Sequence, residues 1–338
     1  MKFKTPKPSK RIVWLIKAIL AIMFGISLYL QFQHKNLKGL NYEIIRHFGP
    51  KQYLVLMFLL ALMLLNWSLE ALKWRLLVGK MQQISFINAL KGVWCGVTIG
   101  TFTPNRIGEF GGRIIFLRER NQLKGIIVTL IGSFGQITTT LITGLSSLIL
   151  FILLINPFKI PHTFLPPHEF LIWILPALFL LLIACLLLLY FNLGLIESLS
   201  SKIPYLKRVR TYLSIIGQFG YVDLGKLLML SLLRFCVFTF QFYLLLQAFQ
   251  VPVPFLSGFM VISLIFFVQT IIPSFTLTEI GVRGQVSVYL LAFILSGDYS
   301  IRIIDASVSL WLINLILPAI IGAFILGSHN RKRQESEA

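Results

Sequence analysis

Apolar residues along this chain come in runs too long for a soluble core, separated by short polar segments rich in Lys and Arg. A helix of about 18 or more apolar residues is long enough to cross the roughly 30 Å hydrocarbon core of a bilayer. By that measure residues 12–31, 53–70, 126–155, 170–191, 227–249 and 303–326 are predicted to be full transmembrane helices. The run 126–155 is long enough to tilt or kink, and it carries Gly132, Gly135, Thr138, Thr139, Thr140 and Gly144.

Two further apolar stretches are interrupted. Residues 84–117 are apolar to Thr101 and break at TPNRIGEFGG. Only a few residues follow, to Leu117, before Arg118-Glu119-Arg120. At about 1.5 Å per residue so short a piece cannot complete a crossing. This segment is therefore predicted to enter, turn and leave on the same side. The second stretch runs from Val253 to Ile272, breaks at PSFTLTEIGVRG and returns through QVSVYLLAFILS to Gly297-Asp298. The expected fold is an all-α integral membrane protein with about six full transmembrane helices and two re-entrant broken hairpins, in one polytopic domain over residues 1–338.

Loop charge orients this threading, because cytoplasmic loops carry the excess of Lys and Arg. With both termini in the cytoplasm, most loop cations fall on that side, among them Lys73, Arg75 and Lys80. The cations Lys35, Lys38, Arg46 and Lys51 in the first outside loop are the poor fit. The N-terminal run has a signal-like basic start but no small-residue cleavage site, so it reads as a retained first helix. The threading makes 53–155 and 227–326 the same element order in opposite orientation, an inverted repeat. Between them lie the span 170–191 and a basic stretch, 194–226. That stretch is either an amphipathic helix on the inner leaflet or a solvated connector. Residues 327–338 form a cytoplasmic tail.

The two breaks carry nearly the same motif. Glu109-Phe-Gly-Gly-Arg113 and Glu279-Ile-Gly-Val-Arg283 both read Glu-apolar-Gly-x-Arg, downstream of Pro104 and Pro273. A charge at mid-bilayer costs roughly 2.5–3.5 kcal/mol on insertion scales. Broken segments at matching positions of two halves point to a site where the repeats meet. Two readings stay open. Each Glu–Arg pair, at i and i+4, could be a local ion pair that lowers the insertion cost. Alternatively Arg106, Arg113 and Arg283 offer guanidinium forks to a lipid phosphate, with Glu109 and Glu279 orienting them or exchanging a proton. Arg106, which gives the first break two cations for one carboxylate, favours the second. Arg234, inside run 227–249, either snorkels to the cytoplasmic face or joins the phosphate candidates. Gln136, Thr138, Thr139, Gln241, Gln269 and Asn314 either line a path or bond helix to helix. Trp74 is expected in an interfacial aromatic belt.

Composition sharpens this picture. The chain is 57% hydrophobic and 13% charged, with a mean hydropathy of +0.83, which excludes an ordinary soluble domain. Its net charge of +19 sits between apolar runs. It therefore points to anionic lipid headgroups as partners rather than to nucleic acid, and membrane protein partners are compatible with it. Cys95, Cys185 and Cys236 have no metal-ligand or redox spacing and read as small core residues. The five histidines make no ligand pair, and no P-loop, nucleophile elbow or dinucleotide fingerprint occurs. No cofactor, metal or catalytic residue is expected.

Three motifs carry a resemblance to the transmembrane, flippase-like region of lysylphosphatidylglycerol synthases. Ala71-Leu-Lys-Trp-Arg-Leu-Leu77 resembles the family's L-R-W-R-x-L-L. Thr103-Pro-Asn-Arg-Ile-Gly-Glu109 with Arg113 resembles its P-G-R-x-G-E and following Arg. Ile272-Pro273 through Arg283 resembles its P-x-x-x-G-G-x-G-x-R-E. Asn105 stands where Gly is usual, Thr278-Glu279 where a Gly pair is common, and Gly284 where an acid usually follows the Arg. The resemblance implies lipid handling. The related synthases add a soluble aminoacyl-transferase domain after the membrane part. This chain ends at Ala338, so the expectation is not an enzyme. The expected function is that of a multi-pass inner-membrane flippase-like protein binding or translocating a phospholipid or polyprenyl-phosphate headgroup. The alternatives are a non-transporting scaffold or regulator of a lipid or glycan pathway, or an intramembrane lipid-modifying enzyme using the Glu pair as acid and base.

Overall fold

A computed structural model describes residues 50–103, 106–154, 168–194, 212–272 and 276–337. Nearly all of these belong to one compact unit, Gln52–Ala338. The expected span 12–31, the histidines His34, His47 and His162, residues 195–211 of the basic stretch, and the motif residues Pro104, Asn105 and Pro273 lie outside the described residues. The described residues are predominantly helical, with no strand among them.

The first helix, α1, runs Pro50–Gly79, and the first interrupted stretch follows. Helix α2 spans Phe86–Thr101 and starts at Ser85, whose hydroxyl accepts the Asn88 N–H at 3.2 Å. Such a cap satisfies one of the free donors at a helix start. After the break comes the single-turn helix α3, Gly108–Arg113, then a 3₁₀ turn at Ile114–Phe116. Helix α4, Gln122–Leu154, is 33 residues long. That makes it about 50 Å at 1.5 Å per residue, enough to cross with tilt. Helix α5, His168–Phe191, contains Pro176.

The second set begins with α6, Tyr221–Ala248. Helices α7, Phe255–Ile271, and α8, Thr276–Leu291, flank the second break. Helix α9, Ser300–Trp311, runs through a π turn at Leu312–Ile316 into α10, Leu317–Glu337. The Asp298 carboxylate accepts the Ser300 N–H at 2.9 Å ahead of α9, and hydrogen bonds from Ser300 hold that carboxyl below its usual range.

Four of these elements are long and apolar enough to cross a membrane: Tyr53–Gly79, Glu119–Leu154, Tyr221–Ala248 and Ser300–Ser328. Pro176–Phe191 and α7 are shorter apolar helices. Polarity is arranged inside out. Leu178, Leu181, Leu188 and Phe324 are exposed, while Glu70, Lys73, Arg113 and Arg283 are buried. Water would penalise such a surface, whereas a bilayer accepts it, since lipid tails are as apolar as the side chains they touch.

Both interrupted stretches fold back on themselves, and each closes at its base. Gln82, just before α2, accepts the Arg118 N–H at 3.1 Å and the Asn121 side-chain amide at 3.2 Å through Oε1. At the second stretch Arg302 Nη1 donates to the Gln250 carbonyl at 3.3 Å. Glycine lets the first fold tighten. A Cβ on Gly112 would lie 2.5 Å from the Cys95 carbonyl and the Gly96 Cα, so the backbones of α2 and α3 touch. The two halves also interlock reciprocally. Helix α2 packs on α10, and α7 packs on α4. At the first crossing a Cβ on Gly322 would meet the Trp94 carbonyl at 2.2 Å, and at the second a Cβ on Gly144 would meet Phe267 at 2.3 Å.

Several expectations need correction. The run placed at 53–70 continues helically to Gly79. Lys73, assigned to a cytoplasmic loop, is 1% exposed, and Trp74, assigned to an interfacial belt, is buried. Both lie on the inner face of α1, where Lys73 finds acid and amide partners and Trp74 packs beneath Arg113 at 6.0 Å. Cys95 is buried, but Cys185 and Cys236 are exposed rather than core residues.

Candidate functional site

One carboxylate joins three helices. Glu70, on α1, is 3% exposed. Its Oε1 accepts Arg113 Nη1 at 2.7 Å, and its Oε2 accepts Arg234 Nη1 at 2.7 Å and Lys73 Nζ at 2.8 Å. Arg113 comes from α3 and Arg234 from α6. Lys73 adds contacts at 3.4 Å to Gln136 on α4 and to Ser231 on α6. A buried charge without partners would cost several kcal/mol per ion, so these groups are stable only together.

The first break supplies the next layer. Arg113 Nη2 donates to Glu109 at 2.8 Å, so this guanidinium bridges two carboxylates. Arg106 approaches Glu109 at 3.6 Å. Its backbone has a φ of 57°, a left-handed conformation uncommon outside glycine. Thr103 braces the turn. Its hydroxyl donates to the Gly100 carbonyl at 3.1 Å and accepts the Gly108 N–H at 2.8 Å.

The second break is simpler. Arg283, on α8, pairs with Glu279 one turn earlier, and its Nε donates to Gln269 Oε1 on α7 at 3.1 Å. The Gln269 amide then donates to Glu279 at 3.1 Å, closing a three-residue ring. Both Glu–Arg pairs are thus local ion pairs at i and i+4.

The two breaks meet at a small, partly open cavity. Arg106 reaches it from the first, Glu279 and Arg283 from the second, and Arg234 from α6. Trp67 and Asn66 of α1, Trp311 of α9 and Asn314 of the π turn also line it. Asn314 accepts Asn66 Nδ2 at 3.3 Å, while Asn66 Oδ1 accepts Arg234 Nε at 3.0 Å. π turns are frequent at functional sites, and this one carries Asn314 to Asn66. Among the described residues the charged lining is therefore three guanidinium groups against one carboxylate.

Of the six candidate residues, Arg106, Arg234, Glu279 and Arg283 line the cavity. Glu109 and Arg113 stand behind it, with Arg113 only 5% exposed between Glu70 and Glu109. Arg234 does not snorkel. It turns inward to Glu70 and Asn66 and stacks over Trp67 at 5.0 Å. The polar positions mostly bond helix to helix: Gln241 donates to the Leu59 carbonyl at 3.1 Å, and Gln136 to that of Ser231 at 3.4 Å. Sequence reasoning missed Glu70, Asn66 and Trp67. An ionisable residue within a transmembrane helix is a functional candidate by default, but the predicted span stopped at residue 70.

The model of the lysylphosphatidylglycerol synthase TM region matches residues 14–317. The chain belongs to this family. Neither a curated protein nor a solved structure matches it. In this member of the lysylphosphatidylglycerol synthase membrane-region family, three motifs far apart in sequence converge on one place. Lys73 and Trp74 of the first lie beside Arg113 of the second, and Arg106 of the second shares the cavity with Glu279 and Arg283 of the third. The family describes a membrane domain of lipid-related synthases, in keeping with the apolar helices and their exposed surfaces.

Proposed function

We propose that this protein binds the phosphate of a membrane lipid headgroup in the cavity between its two hairpin tips and moves that headgroup across the membrane. The headgroup is that of a phospholipid or a polyprenyl phosphate. The observation that carries this reading is the convergence of Arg106, Arg234 and Arg283 on one cavity, with Glu279 the single carboxylate among the described residues of its lining. Guanidinium forks match phosphate oxygens in geometry and charge. Arg113, spent on two carboxylates, supports the tip rather than touching lipid.

The same reading assigns two inversely oriented halves in an inner membrane, with cytoplasmic termini. Each hairpin closes at its own base, and the reciprocal packing of α2 on α10 and α7 on α4 is what a two-fold axis in the membrane plane would produce. Cysteines introduced singly at Ser85, Arg120 and Ser296, in a background lacking the native three, test this. Ser85 and Arg120 should label from the cytoplasmic side and Ser296 from the opposite side. Labelling of Ser85 and Arg120 from different sides would break the hairpin, and the repeat with it.

Transport is tested by reconstituting the purified full chain in liposomes and following headgroup exposure over a panel of lipids. Arg283→Ala and Arg234→Ala should each lower the rate at least about tenfold, the scale of one lost charge-assisted bond of about 1.5–3 kcal/mol. Undiminished rates in both variants would reject the phosphate site. Binding without any translocation by the wild-type chain would instead favour a non-transporting scaffold.

A further inference from the structure

We infer that the cavity takes a phosphate monoester in its dianionic form, in preference to the monoanionic diester of an ordinary phospholipid. This rests on the phosphate-site reading above and narrows it. Two observations point there.

The first is charge. The lining carries Arg106, Arg234 and Arg283 against Glu279. Immediately behind the lining, Lys73 and Arg113 face Glu70 and Glu109, two cations against two carboxylates, which leaves the balance unchanged. The surplus of two positive charges is neutralised by a dianion and only half neutralised by a diester. Arg283 in that lining is buried, and beside so buried a cation the imbalance weighs more than it would at a surface.

The second is unused donors. Trp67 is 2% exposed and lines the cavity, yet its indole N–H has no hydrogen-bond partner among the described residues. Arg106 also lines the cavity, and its Nε, which faces Glu109 at 3.6 Å, makes no hydrogen bond among the described residues. A buried donor left unpaired destabilises the empty site. An unpaired indole N–H among three guanidinium groups fits a ligand with many acceptor oxygens. A monoester presents three terminal oxygens and a diester two.

The ligand can be a lipid-linked monoester or free phosphate, and the two are separable. Full-length protein in detergent is titrated with dioctanoyl phosphatidic acid, dioctanoyl phosphatidylglycerol and inorganic phosphate, following intrinsic tryptophan fluorescence and thermal stability. At pH 7.5 phosphatidic acid should bind at least about tenfold more tightly than phosphatidylglycerol, as one further charge-assisted contact provides. At pH 5.5, below a second phosphate ionisation of about 6, the preference should shrink severalfold. Any loss of negative charge at Glu279, Glu109 or Glu70 would favour the dianion over the monoanion and enlarge the preference, so a smaller preference at the lower pH reads the ligand's own charge.

Arg106→Gly suits the backbone φ of 57° at that position and should fold. It should lower phosphatidic acid affinity about tenfold while changing phosphatidylglycerol affinity less than about threefold. Trp67→Phe should weaken phosphatidic acid binding and leave the fold intact. Equal affinity for the two lipids at both pH values overturns the monoester assignment and leaves the phosphate site standing. Binding of neither lipid overturns both. Inorganic phosphate binding as tightly as phosphatidic acid confirms the dianion site but assigns it to a soluble phosphate, which removes the lipid-transport reading.

Discussion

Glu70→Gln is expected to abolish most of the folded protein, more severely than loss of any cation around it. The glutamine side chain keeps the shape but gives up the charge that holds Lys73, Arg113 and Arg234 at 2.7–2.8 Å. Those three would then share only Glu109, which contacts Arg113 alone among them. Removing one partner of a buried ion pair costs about 3–5 kcal/mol, because the other charge stays buried and unpaired. Here three cations are left on one side of the balance. Lys73→Met in the same chain should restore part of the loss, since one uncompensated charge goes with it and an unbranched apolar chain of similar length replaces it. The measurement is the yield and thermal midpoint of monodisperse protein in detergent, for each single variant and the double. A Glu70→Gln protein with the wild-type midpoint would show that this carboxylate does not tie the helices together.

Much of the fold was legible because apolar run length reports the solvent a helix faces. The four long crossing helices each overlap a run read from sequence. The fold-back of the first interrupted stretch was legible from length, since so few residues follow its break. What failed were boundaries and partners. Lys73 and Trp74 look like the end of a span because hydropathy counts a Lys as water-facing. It cannot see that Glu70 lies one turn away and that Gln136 and Ser231 wait on two other helices. Arg234 was open to two readings for the same reason, as its acid and its indole both come from α1. Repetition of the Glu-apolar-Gly-x-Arg motif located both breaks, but nothing in a repeated motif says that Arg113 would be consumed by a second carboxylate while Arg283 keeps only one. The π turn that brings Asn314 to Asn66 leaves no mark in the apolar pattern at all.

That inequality between the two Glu–Arg pairs yields the sharpest contrast expected of this protein. Exchanging the members of each pair preserves its local charge and its i, i+4 contact. Glu109→Arg with Arg113→Glu should nonetheless fail to fold. The new carboxylate at 113 would face Glu70, where a guanidinium now sits at 2.7 Å, and the new guanidinium at 109 would face Arg106. There is also no room to adjust, since a Cβ on Gly96 would lie 2.8 Å from the Arg113 side chain and 2.9 Å from the Glu109 carbonyl. Glu279→Arg with Arg283→Glu should fold. Its remaining partner, Gln269, has an amide that can donate or accept, so the ring can re-form with its bonds reversed. The lost stacking of Arg283 on Phe238 at 5.8 Å costs only about 0.5–2 kcal/mol. Yet this second exchange should remove lipid movement, because it shifts the phosphate-facing cation by about one turn, roughly 5.4 Å, along α8. Folded yield and headgroup translocation are measured on both exchanged proteins. Translocation at the wild-type rate in the 279/283 exchange would defeat the role assigned to Arg283. A well-folded 109/113 exchange would show that the Arg113 contact with Glu70 contributes little to holding the first tip in place.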